Sequence, residues 1–484
     1  MTSSLLSLPD DVLIVILVAL RARDLISISL TCRALYVFCR TTDYIWHAID
    51  IDLPLNLPHE DIGSISADEL RRHCVEGLRV EHNWHKNPPN LKALSRIDHG
   101  GIIDQMQCLP PRWLVSMARV STGLGPRCVL SIWDCDIPGD AKKIESISLE
   151  PRGLSRFAAR LSDDRTHLSI VLFGSARAEI VRVYHIPLQA EHRDDSNKYI
   201  TSRVMADSVV ESVFEADIYG EVVSCLLARF ETEQPVYQIM ILNVKSGKHM
   251  RIHVDVPATI VKLQIRLFPG SLLLLSGVQG PRNIFLKMYA YDMTNSMREL
   301  ESSYTDSTSL PRQNLGTPCA EYNTAPFGGR SLGVEYQLSK GHLSTISALV
   351  FTGGTSNQII RFPGIHSDNN GTTTFQQQNS LQTFTFPRAR DVEVYPESTT
   401  LGLRGRRAVW LERKRDEDSD RMNFNLMKGS FPSNQSGALD VGPLLSEHKA
   451  LPFGLDTCLS VAFDEAKGRV FLGLYTGDIY VLDL

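Results

Sequence analysis

Side chains that could bind a metal or attack a substrate are few in this sequence, and they are poorly grouped. The densest set is His73-Cys74 with His82-Asn-Trp-His85. A structural zinc site needs four ligands in a recognisable spacing, so these residues read as the polar end of a helix. Ser246-Gly-Lys-His249 lacks the upstream glycines and the following hydroxyl of a phosphate-binding loop. No His-Glu-x-x-His pair occurs. Gly328-Gly-Arg-Ser-Leu-Gly333 is wrongly spaced for phosphate binding; its last five residues match the letters of a Gly-x-Ser-x-Gly elbow, but the run reads as a loop. Asp368-Asn-Asn-Gly371 opens like a calcium loop, but it lacks the alternating ligands and distal glutamate and reads as a turn. What remains is Arg404-Gly-Arg-Arg407, because guanidinium groups fork onto phosphates and carboxylates with paired hydrogen bonds. Arg404, Arg406 and Arg407 are therefore the candidates for contacting a phosphorylated or acidic target, with an exposed hairpin turn as the alternative. No catalytic residue, metal or cofactor is expected.

With so little chemistry, the weight falls on the elements themselves, above all Leu8–Arg40. Ser7 is a candidate cap for a first helix, with Pro9 in its first turn and Asp10 and Asp11 facing the positive end of the helix dipole. Val12, Leu13, Ile16, Leu17 and Leu20 recur at helical spacing. Ile14, Val15 and Val18 are apolar too, and a helix without a polar face must be covered all round. Asp24 and Thr31 are candidate caps for a second and a third helix, the third ending near Arg40. Three short helices cannot cover this surface alone, so a second chain or the rest of this one must do so.

These residues resemble the F-box motif: a Leu-Pro pair and an acid, an aliphatic helix, an Asp-Leu pair, an apolar-x-Cys-Arg turn and a closing tryptophan. Here they are Leu8, Pro9, Asp10, Val12, Leu13, Ile16, Leu20, Asp24, Leu25, Leu30, Cys32, Arg33 and Trp46. The resemblance covers about a tenth of the chain. It implies docking onto the Skp-family adaptor of a cullin–RING ubiquitin ligase. Leu8, Pro9, Val12, Leu13, Ile16, Leu20, Leu25, Leu30 and Cys32 would then form the adaptor-binding set. An ordinary helical hairpin buried in its own domain is the competing reading.

The 484 residues suffice for two or more domains or one large repeat architecture. A net charge of −5 offers no general attraction to nucleic acid or anionic membrane. Nine cysteines, an odd number without Cys-x-x-Cys pairs, suit reduced thiols in the cytoplasm or nucleus. Val12–Leu20 is too short to span a bilayer and follows acid rather than Lys or Arg, so it reads as neither anchor nor signal peptide. The sequons at Asn370 and Asn434 are read as chance.

Past Trp46, the proline-bearing segment Ile49–Ile62 reads as a connector. Ser66-Ala-Asp-Glu69 has the form of a capping box, and Leu70, Cys74 and Leu78 follow, predicting a helix from about Ala67 to Glu81. Its task would be to brace the N-terminal helices, with Trp84 packing at its end.

Downstream, short apolar runs come in pairs. They are Trp113–Val120 with Cys128–Trp133, His167–Phe173 with Ile180–Ile186, and Val222–Phe230 with Tyr237–Val244. Next come Ser271–Ser276 with Ile284–Tyr291, and Ile346–Phe351 with Gln358–Phe362. Thr399–Leu403 with Ala408–Arg413 and Val470–Leu474 with Asp478–Leu482 complete the set. Their starts lie 54, 55, 49, 75, 53 and 71 residues apart. Such a recurrence fits four-stranded propeller blades with insertions, such as Ser302–Pro318 and His366–Ser380. Arg413–Arg421 reads as a charged hairpin tip leading into a strand at Met422–Met427. The last blade lacks an outer strand, and an open edge is a liability. A segment within Leu91–Ile97 is expected to supply it and close the ring. Trp133-Asp134 resembles the blade-ending pair of WD-repeat propellers, as Val481–Leu484 does more loosely, while Gly341-His342 stands alone. Six or eight blades, or a sandwich assembly, stay open.

The expected fold class is therefore α+β multidomain: a three-helix F-box with a linker helix, then a mainly-β propeller of about seven blades. The domains are 1–48 (F-box), 49–90 (connector with helix 67–81) and 91–484 (propeller). An F-box joined to a degenerate propeller resembles a family of large fungal F-box proteins. It implies a non-catalytic substrate receptor, with the adaptor on the helices and a target protein on the propeller. The alternatives are a scaffold propeller outside ubiquitin transfer and, less favoured for want of converging polar groups, a propeller enzyme.

Overall fold

A strand with neighbours on both faces can be apolar throughout, and that is the character of the paired runs. In the computed structural model each pair is an antiparallel hairpin. The structure describes residues 5–49, 51, 53–55, 57, 64–123, 125–149, 154–162, 164–174, 179–188, 199–205, 211–229, 236–254, 260–279, 283–301, 309–324, 327–328, 335–338, 346–351, 356–362, 365–367, 373–375, 381–387, 394–415, 422–431, 439–446 and 451–484. The Asn370 and Asn434 sequons, Asp368–Gly371, Gly329–Gly333, Gly341-His342 and the 416–421 part of the charged tip lie outside these residues.

Among the described residues, seven sheets of four or five strands form a propeller. The inner strands, in blade order, are Ile102–Leu109, Leu154–Leu161, Glu211–Tyr219, Ile260–Phe268, Glu335–Leu338, Val394–Leu401 and Cys458–Asp464. In six blades the paired apolar runs are the second and third strands. In the sixth blade they are the first and second, Val394–Leu401 and Arg407–Arg415, with Met422–Ser430 third.

Two insertions carry structure of their own. Ser309–Asn314 adds a fifth, parallel strand to the third blade, beside His249–His253. Ile365–Ser367 pairs with Thr373–Phe375 as a separate hairpin.

Each of the seven seams between blades holds a hydrophobic cluster. The last sheet runs Ala93–Asp98, Asp478–Asp483, Arg469–Leu474, Cys458–Asp464, so its outer strand comes from before the first blade. Ala93 sits opposite Asp483 and Asp98 opposite Asp478, with Arg96 on Asp478 at 2.8 Å. Buried Arg469 bridges Asp483 to the Cys135 carbonyl of the first blade.

Around the axis, polar side chains lock neighbouring inner strands together. Gln105 and Gln107 each pair their amide with the main chain of the next blade, at Phe157 and Ala159. Asp217 accepts from Leu267 N–H at 2.8 Å, Ser398 from Val461 at 3.1 Å and Ser460 from Met106 at 3.1 Å. These bonds satisfy inner-strand amides that have no strand partner on their open side.

Because strand direction alternates, every inner strand starts at one rim, here called upper. The turns between second and third strands lie at this same rim. The turns between first and second strands lie at the lower rim.

Before the propeller stand α1 (Asp10–Val18), α2 (Ala22–Ser29), α3 (Arg33–Thr41), α4 (Asp43–Ala48) and α5 (Ala67–Trp84). Ser66 caps α5, accepting from Glu69 N–H at 3.3 Å. The other caps differ from expectation. Ser7 belongs to a 3-10 turn, Leu5–Ser7, and Pro9, Arg21 and Cys32 hold the N-cap positions of α1, α2 and α3 without side-chain caps. Asp24 instead sits in the first turn of α2. There it still meets the positive end of the dipole.

Candidate partner-binding surfaces

The helices close on a small core of their own. Leu13 and Leu17 of α1, Leu25 of α2, Leu35 and Cys39 of α3 and Ile45 and Trp46 of α4 are buried together with Leu70 and Cys74 of α5. Trp46 donates its indole N–H to the Cys39 carbonyl at 2.7 Å, so α4 is anchored under α3. Burial pushes the Cys74 thiol up to about 12, which leaves it an inert packing group and not a metal ligand. His73 lies between Glu69 and Glu76, each at 3.9 Å.

This core uses only part of the apolar surface. Val12 is 41% exposed, Val15 70%, Leu30 72% and Tyr44 65%, and Leu5, Leu6 and Val37 are exposed as well. Helix α1 is thus apolar all round without being covered all round. Of the nine residues in the expected adaptor-binding set, Val12, Pro9, Leu30 and Cys32 are exposed and Leu8, Ile16 and Leu20 half-buried. Leu13 and Leu25 need correcting: both are buried in the chain's own core and offer nothing to a visitor. Val15 joins the exposed surface although it has no place in the motif pattern. Its signal in the sequence is the lack of any polar face on α1.

The C-terminal end of α5 is welded to the lower rim of blades six and seven. Trp84 is fully buried and stacks on Phe463 with ring centroids 5.1 Å apart. Arg407 lies over the indole at 5.4 Å, donates to the Glu465 carbonyl at 2.8 Å and pairs with Glu81. Lys428 donates to the Trp84 carbonyl at 2.6 Å and to Asp440 at 3.2 Å. His85 spans Glu81 at 2.9 Å and Asp440 at 3.2 Å. Burial would raise the Glu81 carboxyl, but hydrogen bonds and charge from His85 and Arg407 outweigh it and bring it down to about 2. The hydrogen bond to Glu81, working against burial, raises His85, and Asp440 adds to the rise.

This joint removes Arg407 from the arginine candidates. Arg407 is buried inside it, and the main-chain N–H groups of Arg404, Arg406 and Arg407 all donate to the Glu465 carboxylate, at 2.7, 2.9 and 2.9 Å. The run does bind a carboxylate, but an internal one. Gly402 is required beneath it, since a Cβ there would overlap the Glu465 side chain.

The upper rim differs in surface character. Of the large apolar side chains exposed on the described part of the propeller, Ile102, Met205, Val236, Met422, Leu459 and Tyr475 lie at the upper rim. Leu94 and Ile137 lie toward the lower one. The face turned away from the α5 joint is therefore the more apolar. Trp133 of the Trp133-Asp134 pair is structural: its indole N–H donates to Ser116 Oγ at 2.8 Å, with the His99 ring tilted against it at 5.7 Å.

Among the described residues no group of three or more His, Cys, Asp or Glu is placed to hold a metal, and no helix is long and apolar enough to cross a membrane. Residues 5–52 match the family described as F-box-like, and they form an F-box-like domain ahead of the seven-bladed propeller. No curated protein matches the chain. Among solved structures, a chain from one described as "Crystal Structure of Mitotic Checkpoint Complex" is similar at 12% identity. The match covers 82% of this chain and 93% of that one, with a TM-score of 0.41.

Proposed function

We propose that the chain is the non-catalytic substrate-recognition subunit of an SCF-type cullin–RING ubiquitin ligase. The F-box-like helices would dock on a Skp-family adaptor, and the propeller would hold a target protein. The observation that carries this reading is the surface of Val12, Val15 and Leu30. It is apolar, solvent-facing and built on a domain whose own core is already filled. Covering it favours association by about 25 cal/mol per Å2 of apolar surface. The α5 joint supports the reading from the other side. It ties the docking helices rigidly to the propeller, and a receptor works by positioning, since a tethered target meets the ubiquitin-charged enzyme at high effective concentration. The reactive cysteine would belong to another subunit. The apolar upper rim, away from the joint, is the surface offered to the target. Nine free cysteines suit a reducing compartment, cytoplasm or nucleus.

The test is capture of a purified Skp-family adaptor by the full chain. Val15→Asp combined with Leu30→Asp should abolish it while the thermal transition stays in place. Undiminished capture by that variant would sink the reading. Reconstitution with cullin and RING subunits then separates a receptor from a scaffold: a receptor promotes ubiquitination of what its propeller binds, a scaffold does not.

A further inference from the structure

One face of α5 is committed to the joint, while another is bare. Val75, Leu78, Arg79 and His82 follow one another along it at helical spacing, with Lys86 just past its end. With Ile26 of α2 and Lys92 at the start of the propeller they line a cavity of about 560 Å3. That is the size of a ligand site. Its apolar lining comes from Ile26, Val75 and Leu78. Arg79, Lys86 and Lys92 also line it, with His82, Asn83 and Asn90, and no Asp or Glu does.

The acids of α5 are engaged elsewhere: Asp68 with Arg40 and Arg71, Glu69 and Glu76 with His73, Glu81 with Arg407 and His85. The helix dipole favours cations in the last turn and just past it, which accounts for His82 and Lys86. It does not account for Arg79 a turn earlier, or for Lys92, which reaches the same cavity from a different element. Lys92 spends one proton on the Leu484 carbonyl at 2.6 Å, and an ammonium group has three to give.

We propose that this groove takes an acidic, amphipathic peptide segment of a protein partner. Aliphatic side chains would sit on Ile26, Val75 and Leu78, and carboxylates would face Arg79, Lys86 and Lys92. Charge complementarity selects the occupant. A purely apolar ligand would leave the cations unanswered, and a purely anionic one would leave the apolar lining wet. A segment lying there touches α2, α5 and the first propeller residues at once, so it reads the junction of the two domains. The proposal uses residues other than the Val12, Val15 and Leu30 surface and does not rest on the adaptor reading.

The experiment is fluorescence anisotropy on the full chain with a labelled synthetic peptide of about twelve residues built from Glu-Leu-Leu-Glu repeats. Saturable binding is expected, weakened at least about tenfold by Arg79→Glu with Lys86→Glu, and similarly by Leu78→Asp. Far-ultraviolet circular dichroism would verify that each variant is folded. Because Leu78 is partly packed, the surface double variant decides between the outcomes should Leu78→Asp unfold. The Val15→Asp, Leu30→Asp chain should bind the peptide as the unaltered chain does, which keeps failure here distinct from failure of the adaptor reading. Equal binding of a peptide with Ser in place of Leu would overturn the proposal, since bare charge would then suffice. So would an unaffected Arg79→Glu, Lys86→Glu variant, no binding at all, or groove-dependent binding of phosphatidylserine vesicles in preference to the peptide.

Discussion

The propeller and the N-terminal helices both begin from strongly apolar sequence, and they dispose of it differently. In the propeller each seam is filled from both sides, so Ile346–Phe351 and Arg469–Leu474 are buried at every position. In the helices Leu13 and Leu17 turn inward while Val12 and Val15, one and two residues away, stay in water. A closed ring can cover every middle strand because each blade has two neighbours. A four-helix cap resting on one long helix has an outside. Apolar residues left on that outside do not serve the fold, and this difference makes the two regions separable by mutation.

The largest expected effect tests closure. Removing Asp478–Leu484 takes away the strand that joins Ala93–Asp98 to Arg469–Leu474, and with it buried Ile479, Val481 and Leu482. Each such side chain is worth about 1.5–3 kcal/mol. Together with two opened edges, the loss approaches the whole stability of a typical domain, about 5–15 kcal/mol. The shortened chain should lose its cooperative thermal transition and self-associate on gel filtration. A truncated monomer melting with the intact one would show that the ring does not depend on this strand.

The next effect tests the weld. Trp84→Ala removes a fully buried ring stacked on Phe463 and beneath Arg407. A loss of about 3–5 kcal/mol is expected from denaturant midpoints at unchanged slope. Adaptor capture by α1 and α2 should survive. If stability barely moved, the helices and the propeller would be independent bodies and positioning would fail as a mechanism.

How much of this is legible in the sequence follows from the same physics. The second and third strands of most blades are readable because both of their faces are buried, which makes continuous apolar runs. Inner strands mix exposed and buried positions, as Leu154–Leu161 does, and Cys458–Asp464 is hidden beside the clearer pair that follows it. Ser66 can be recognised as a cap because its box is local. The caps at Pro9, Arg21 and Cys32 use no side chain and leave no mark. The arginine run draws notice for its guanidinium groups, yet it is its main chain that holds a carboxylate. Its partner cannot be seen, because Glu465 lies 58 residues from Arg407 and is brought there only by the seam between blades six and seven. The basic groove is invisible for the same reason, since Ile26, Leu78 and Lys92 meet only in three dimensions.

A smaller effect sharpens the contrast within the propeller. His99 sits where the closing strand enters the first blade, its main-chain N–H donating to the Gly477 carbonyl at 2.9 Å. Burial, with Lys143 nearby, lowers its imidazole from 6.5 to about 4. A histidine with a lowered folded value stays neutral in the fold while the unfolded chain takes up the proton. The stability tied to it is therefore present above pH 6.5 and lost as pH falls toward 4. Glu81 at the weld responds lower down, from 4.5 toward about 2. Melting temperature should thus fall first through a His99 step, which His99→Phe removes, and only later through a Glu81 step, which Glu81→Gln removes. A single merged transition unaffected by His99→Phe would deny that closure and weld titrate separately.

The smallest effect is the most telling about the helices. Leu30 is 72% exposed, so replacing it with Ser removes almost no buried contact. The expected change in stability is within about 0.5 kcal/mol, the ordinary range for a surface site. The same change at Leu25, fully buried five residues earlier, should cost several kcal/mol, since it adds an unpaired hydroxyl to a cavity. A leucine on α2 and the leucine that caps it would then differ severalfold in what the fold requires of them. If Leu30→Ser destabilised the chain as much as Leu25→Ser, Leu30 would belong to the chain's own core after all, and the exposed stripe would have no need of a partner.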